Sequence, residues 1–233
     1  MLSNARLDWP INQLPTMSLD FHHLAATRID VPVSDLVGTA LSRLQRQKQY
    51  ARVLERGGNR TRAMRDWLAQ AADCITSLSD PVIALKPVTA TATSHAVRIG
   101  GQVELTDPDL QTLVSSGGQV TLYLVTLGFA QSNAFDWLDG DYGAHHIQSD
   151  LSNEVLFALG RTAHRLRREA TPNARLKRIS VQASDLCGQR KIWDPAKVLK
   201  LLGIFGPDNP GVKVTDTGCF QPLNTLLGLT VRL

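Results

Sequence analysis

Residues 120–127 read Val-Thr-Leu-Tyr-Leu-Val-Thr-Leu, with Gly117-Gly118 before them and Gly128 after. Eight strongly β-prone residues bounded by glycines predict a buried strand. The sequence on either side of this strand supplies what has to cover it.

Downstream, Ile147, Leu151, Val155, Leu159 and Leu166 recur at helical spacing and end in the basic run His164, Arg165, Arg167, Arg168, as a long helix requires. The helical stretch is expected to follow Gly128, with Phe135, Trp137 and Leu138 as its first apolar cluster and Gly140-Asp141-Tyr142-Gly143 as a candidate interruption. Pro172 stops the helix. Arg178-Ile179-Ser180-Val181 reads as a strand, and Asp194 with Pro195 predicts a capped short helix over 196–202. Residues 212–215 and 226–231 read as two closing strands.

Upstream, Pro108 marks a helix start, and strands are expected over 88–97 and 102–105. Leu36, Val37, Ala40, Leu41 and Leu44 form one apolar stripe, with Ser34 or Asp35 as its cap. Gly57-Gly58-Asn59 predicts a turn into a second helix over 61–77. Arg43, Arg46, Lys48, Arg52, Arg56, Arg60, Arg62 and Arg65 crowd this region. Pro10 and Pro15 keep residues 1–20 irregular. The expected architecture is an α/β (α+β) protein with a twisted, mainly antiparallel sheet flanked by helices. A basic, helical N-terminal arm spans 1–80, and the α/β domain spans 81–233.

The totals narrow the function classes. The chain has 233 residues, 43% of them apolar, which suffices for a real core, and aromatics are only 6%, so aliphatic residues must fill it. A net charge of +4 is well short of a nucleic-acid-coating protein. Only Tyr50 and Trp67 interleave the basic helices, which weakens the nucleic-acid reading further. No apolar run is long enough to span a membrane, and the first residues lack a secretory core, so a cytoplasmic location is expected. Three widely spaced cysteines, Cys74, Cys187 and Cys219, form neither a disulfide framework nor a zinc pattern. Phosphate-loop, nucleophile-elbow and zinc-helix motifs are missing from the sequence.

The order of features over residues 85–233 resembles the activation, or reactivation, domain of cobalamin-dependent methionine synthase. The resemblance rests on the strand at 120–128, the phrase WLDGDY at 137–142, the long helix, the strand opening Arg178-Ile179-Ser180, and the Cys-Gly pair at 187–188. The phrase VKVTDTGCFQPLNTLLGLTV at 212–231 is its most specific part, with Val212, Thr215, Asp216, Thr217, Pro222 and Gly228 filling the family pattern. The resemblance implies an accessory protein of a cobalamin-dependent methyl-transfer system. Such a protein docks on a corrinoid protein or methyltransferase, supports cofactor reactivation or handling, and receives electrons from an acidic flavodoxin-like donor. Cobalamin, on the partner or on the chain, and S-adenosylmethionine are the implied cofactors. A homodimer is left open.

The chain departs from the family at its S-adenosylmethionine motif. After Arg178 the sequence is Ser180-Val181-Gln182-Ala183-Ser184, with no Pro-Gly-Tyr. Leu156, Phe157 or Ala158 stands where the family has a helical carboxylate, and Glu154 lies a turn away. The alternative is therefore a non-catalytic binding or assembly module that kept the fold but lost S-adenosylmethionine binding. A third reading is a pocket rebuilt for another small molecule.

No catalytic residue is assigned. Arg178, Cys187, Asp216 and Cys219 are the candidate cofactor-binding residues, with the closing segment expected to form a ligand-facing hairpin beside a cavity at Arg178. Arg178 offers a planar fork to a carboxylate or phosphate, or is an ordinary strand-edge arginine. Cys187 and Cys219 are reactive thiols, soft metal ligands or an upper ligand to corrinoid cobalt, or else buried structural cysteines. Asp216, with Thr215 and Thr217, orients the loop or forms a plain turn. Adjacent histidines diverge by about 100° on a helix, so His145-His146 is read as a surface pair rather than a metal site, and His22-His23 likewise. The basic helices either dock an acidic partner or form a solvated face.

Overall fold

A computed structural model describes residues 27–130, 138, 140–180, 185–187, 190–192 and 194–233, with Ser180, 185–187 and 190–192 described by their backbone. The elements run β1 (Thr27–Asp30), α1 (Val33–Arg46), α2 (Lys48–Arg56), α3 (Asn59–Leu78), β2 (Val82–Val88), β3 (Ala90–Ala92), β4 (Val97–Ile99), β5 (Val103–Leu105), α4 (Pro108–Ser115) and β6 (Gln119–Thr126). Then come α5 (Tyr142–Glu169), β7 (Leu176–Ser180), β8 (Asp185–Cys187), β9 (Arg190–Ile192), α6 (Pro195–Gly203), β10 (Lys213–Val214), β11 (Phe220–Gln221) and β12 (Thr225–Arg232).

The main sheet has the order β1-β2-β6-β12-β7, and every neighbouring pair in it is antiparallel. The expected mainly antiparallel sheet flanked by helices is what forms. β6 is central, and residues 120–126 are all buried. That is why the run is apolar at every step instead of alternating: both faces are covered. On one face Tyr123, Val125 and Leu127 meet α1, α3 and α5 through Leu36, Leu44, Leu68, Ile75, Leu151 and Leu159. On the other, Leu122 and Leu124 meet the β3-β4-β5 ribbon, α4, α6 and the loop after α6 through Ile99, Leu110, Leu201 and Phe205.

Several expectations shift in detail. The strand expected over 88–97 is instead the end of β2, then β3, then the start of β4. The stripe at 36–44 is buried as expected, but Pro32 is the N-cap of α1, and neither Ser34 nor Asp35 caps it. Asp35 sits in the first turn, where its charge suits the positive helix end. Gln47, in extended conformation, splits α1 from α2, and its Nε2 donates to Glu154 Oε1 at 3.0 Å. Gly57 and Gly58 both have positive φ, +73° and +84°, so this turn needs glycine. Asp141 turns out to begin α5, not interrupt it: its carboxylate accepts from the Gly143 and Ala144 N–H groups. Asp194 caps α6 in the same way, as its sequence context predicts.

Residue 80 was the expected division between arm and domain. Across it β1 pairs with β2, and Leu36, Leu44, Leu68 and Ile75 share one core with Ile83, Leu85 and Tyr123. The eight basic residues named between 43 and 65 are all exposed. Pro87 lies on β2 beyond Leu85, the last residue paired with β1, a position where a strand tolerates a missing donor.

Candidate functional site

The strand register assembles the site. In an antiparallel sheet, directly opposed residues share a face. Tyr123 opposes Gly228, and Gly228 opposes Ser180; Thr121 opposes Thr230, and Thr230 opposes Arg178. Tyr123 belongs to the helix-covered core, so Arg178 stands on the face that α5 covers. It is exposed at the sheet edge. Gly228 is bare because the Tyr123 ring lies directly over it.

α5 brings charge to the same place. Burial, then repulsion from Arg43 and Arg178, lowers the proton affinity of Arg161, and Glu154 partly restores it. Burial, then Arg168 and Arg178, holds His164 below the ordinary histidine range. Burial pushes the Tyr123 phenol up, and Arg178 pulls it partly back. Arg161 Nη2 and His164 Nδ1 are buried with no hydrogen-bond partner among the described residues. Cationic groups therefore converge here around one acid.

That acid is Glu154, whose side chain is 16% exposed. Its Oε2 lies 3.6 Å from Arg43 Nε and 4.0 Å from Arg161 Nη2, while Oε1 accepts from Gln47. The surroundings suit an anionic group beside Arg178. Glu154 Oε2 has no hydrogen-bond partner among the described residues, so its two guanidinium neighbours pair with it by charge alone and leave it able to accept a hydrogen bond.

His164 gives the cluster a pH signature. Its affinity for a proton is lower folded than unfolded, so the stability it allows is full above the ordinary value of about 6.5 and is lost as pH falls below it. After burial, the positive charges of Arg168 and Arg178 add to the cost of protonating it. His164→Gln is expected to lose less stability than the parent between about pH 7 and pH 5, read from urea midpoints at both values. Identical pH profiles would refute the assignment.

The remaining candidates fall elsewhere. Asp216 and Cys219 lie in the exposed turn between β10 and β11. Thr215 organises this turn: its N–H donates to the Cys219 carbonyl at 2.8 Å, its hydroxyl accepts from Cys219 N–H at 3.1 Å, and it pairs with the Thr217 hydroxyl at 2.9 Å. Cys219 is a free, exposed thiol, which corrects the reading of it as a buried structural cysteine. Cys187 pairs with Arg190 in the β8-β9 ribbon, and its side chain lies outside the described residues. Among the described residues, no hydrogen bond or ion pair joins Arg178 to Asp216 or Cys219. A cavity of about 320 Å³ lies where β2 and β12 end and β6 begins; Thr121 in its wall shares a row with Thr230 and Arg178, but Arg178 is not part of its lining.

His145 and His146 are exposed, as a surface pair should be, and the His146 ring meets Tyr142 edge-on at 4.5 Å. His22-His23, Phe135 and Trp137 lie outside the described residues. Among those described, no three His, Cys, Asp or Glu side chains are placed to hold a metal ion, and no helix is long and apolar enough to cross a membrane.

Arg161 and His164 escaped sequence reasoning. Their i, i+3 spacing puts them on one helix face, but nothing in one strand tells which helix lies above it.

No protein-family model and no curated protein matches the chain. Among solved structures, the crystal structure of the MetH reactivation domain bound to AdoHcy is similar, with a TM-score of 0.60 at 14% identity. The likeness covers 90% of this chain and 78% of that one. It therefore reaches into residues before 81, which carried no resemblance in sequence. At this identity it shows a shared fold.

Proposed function

We propose that this chain is an accessory protein of a cobalamin-dependent methyl-transfer system, docking on a corrinoid protein or a methyltransferase that carries one. The observation that carries the reading is the shared fold with the MetH reactivation domain bound to AdoHcy, over nine-tenths of the chain. Arg178, on the helix-covered face of β7 with Arg161 and His164 close by, supports a site for the carboxylate end of an AdoHcy-like ligand. The exposed basic face of α1, α2 and α3 supports docking of an acidic partner, the electron donor included.

The lack of Pro-Gly-Tyr after Arg178, where Ser180-Val181-Gln182 stands instead, favours the second reading, a binding or assembly module whose docking surface outlived its methyl-donor site. Calorimetry with AdoHcy separates the two. One-site binding, weakened about tenfold or more in Arg178→Ala as loss of a charged hydrogen bond requires, supports a ligand-binding accessory. Silence with AdoHcy, together with co-purification of a corrinoid protein, supports the module. The absence of both AdoHcy binding and a corrinoid partner, with no change in the visible spectrum of added corrinoid, overturns the cobalamin assignment.

A further inference from the structure

His164 is the middle member of a face that α5 lays on the sheet. Gly160, His164 and Arg167 follow at i, i+4 and i+7, so they share one side of the helix. Both outer members are located against the strands beneath. A β-carbon at Gly160 would touch Leu226 Cδ1 at 3.6 Å. Arg167 Nη2 donates to Thr121 Oγ1 at 2.8 Å, and Thr121 opposes Thr230. His164 therefore stands between the levels of Leu226 and Thr230, where the register sets Ser180 beside Gly228 and Arg178 beside Thr230. Its Nδ1 is buried, with no hydrogen-bond partner among the described residues.

The described charges that act on this imidazole are positive: after burial, Arg168 on its own helix and Arg178 on β7 oppose its protonation. Arg161, one turn earlier on α5, is a further cation. Lys177 projects to the other face of the sheet and pairs with Asp109 at 2.7 Å. The acids of α5 are engaged elsewhere. Glu169 pairs with Arg165 at 3.9 Å, and Glu154, about three turns away, pairs with Arg43 of α1 and with Arg161. Tyr123 of β6 is a neutral phenol at neutral pH, since burial pushes it up. An anion seated on Arg178 reverses the balance at His164. It offsets the guanidinium charge and offers an acceptor to Nδ1, which the imidazolium can use because it donates from both nitrogens.

We propose that His164 is a second binding residue of the Arg178 site, taking up one proton from solvent as a carboxylate-bearing ligand enters and donating to that ligand as the imidazolium. This role rests on the reading of Arg178 as an anion anchor. In the free protein His164 holds its proton only below the ordinary value of about 6.5, and with the anion bound it holds it to higher pH. Affinity for the anion is therefore lowest at high pH, rises as pH falls through the bound-state value, and levels off below the free-state value.

AdoHcy is the probe, since between pH 5 and pH 7 its carboxylate stays ionised and its amino group stays protonated. Calorimetry on the full chain is expected to show affinity at least about fivefold higher at pH 5 than at pH 7, the low end of ordinary coupling between two sites. Proton uptake should appear as a dependence of the binding heat on the ionisation enthalpy of the buffer. The imidazole NMR signal that His164→Gln deletes should titrate at higher pH once AdoHcy is added, and should stop responding to AdoHcy in Arg178→Ala. His164→Gln is expected to lose both the pH dependence and the proton uptake. Equal affinity at the two pH values, or a slope that survives in His164→Gln, overturns the proposal and leaves Arg178 as an anchor. Should that variant fail to fold, the proton count of the parent decides, and zero uptake overturns the proposal. Silence with AdoHcy at both pH values defeats the ligand reading of the site, and sodium sulfate then serves as the anion, against chloride at equal ionic strength. A His164 midpoint that sulfate leaves in place overturns the role of His164 as well, and one that sulfate raises upholds it without AdoHcy.

Discussion

Gly228→Ala is expected to destabilise the protein by about 3 kcal/mol, the upper end of the ordinary cost of forcing a methyl group into a packed core. A β-carbon at 228 would fall on the Cζ and hydroxyl of Tyr123. The clash is with a ring, not the free end of a flexible chain, and the ring is 6% exposed and belongs to the core under α5. It shares that core with Val125 and Leu151. Urea midpoints of the parent, Gly228→Ala, Tyr123→Leu and the double variant form a cycle. Because Leu removes the atoms that collide, the double variant should lose less than the two single losses combined. Additive losses, or a Gly228→Ala protein as stable as the parent, would show that the two side chains do not compete for one space.

Phe205→Ala is expected to cost about 3–5 kcal/mol, the range for emptying a buried aromatic site. Phe205 is fully buried in the second core, beyond the end of α6. Its carbonyl accepts from Lys86 Nζ at 3.3 Å, and Lys86 also pairs with Asp208 at 3.6 Å, so the loop after α6 is tied to β2 by charge as well as by packing. Truncating the ring removes the apolar part of that tie and leaves a void facing Ile99 and Leu201. A fall of roughly 10 °C in the melting temperature should follow for a chain of this length. A loss below about 1 kcal/mol would mean that the face opposite α5 contributes little to folding.

Locally encoded features were legible in the residues. The buried central strand could be read from 120–127, because eight β-prone residues between glycines leave few alternatives. The Asp194-Pro195 helix start was legible too, since a carboxylate cap and a fixed φ act within four residues. β1 was not: four residues, Thr27–Asp30, become a strand only because β2 offers them an edge, and no local pattern contains that pairing. Gln47 is similar, because its break makes sense only once Glu154 is known to lie opposite.

The site divides along the same line. Arg178 could be placed on a strand from its neighbours. That it would meet Arg161 and His164 depends on the β12 register, which runs through Gly228 about fifty residues later. Asp216 and Cys219 were grouped with Arg178 through the family phrase. The hydrogen bonds of Thr215 account for their turn locally.

β1 closes one border of the main sheet with residues that precede all three N-terminal helices. Expressing the chain from Val33 onward would strip that border and leave the amides and carbonyls of residues 82–85 facing water as an open template. Such a fragment would be self-adhesive, stacking on its own copies through β2, and its clumping would say nothing about the native assembly. The short segment Thr27–Asp30 thus acts as a selvedge for the molecule, and any shortened version used to study docking has to retain it.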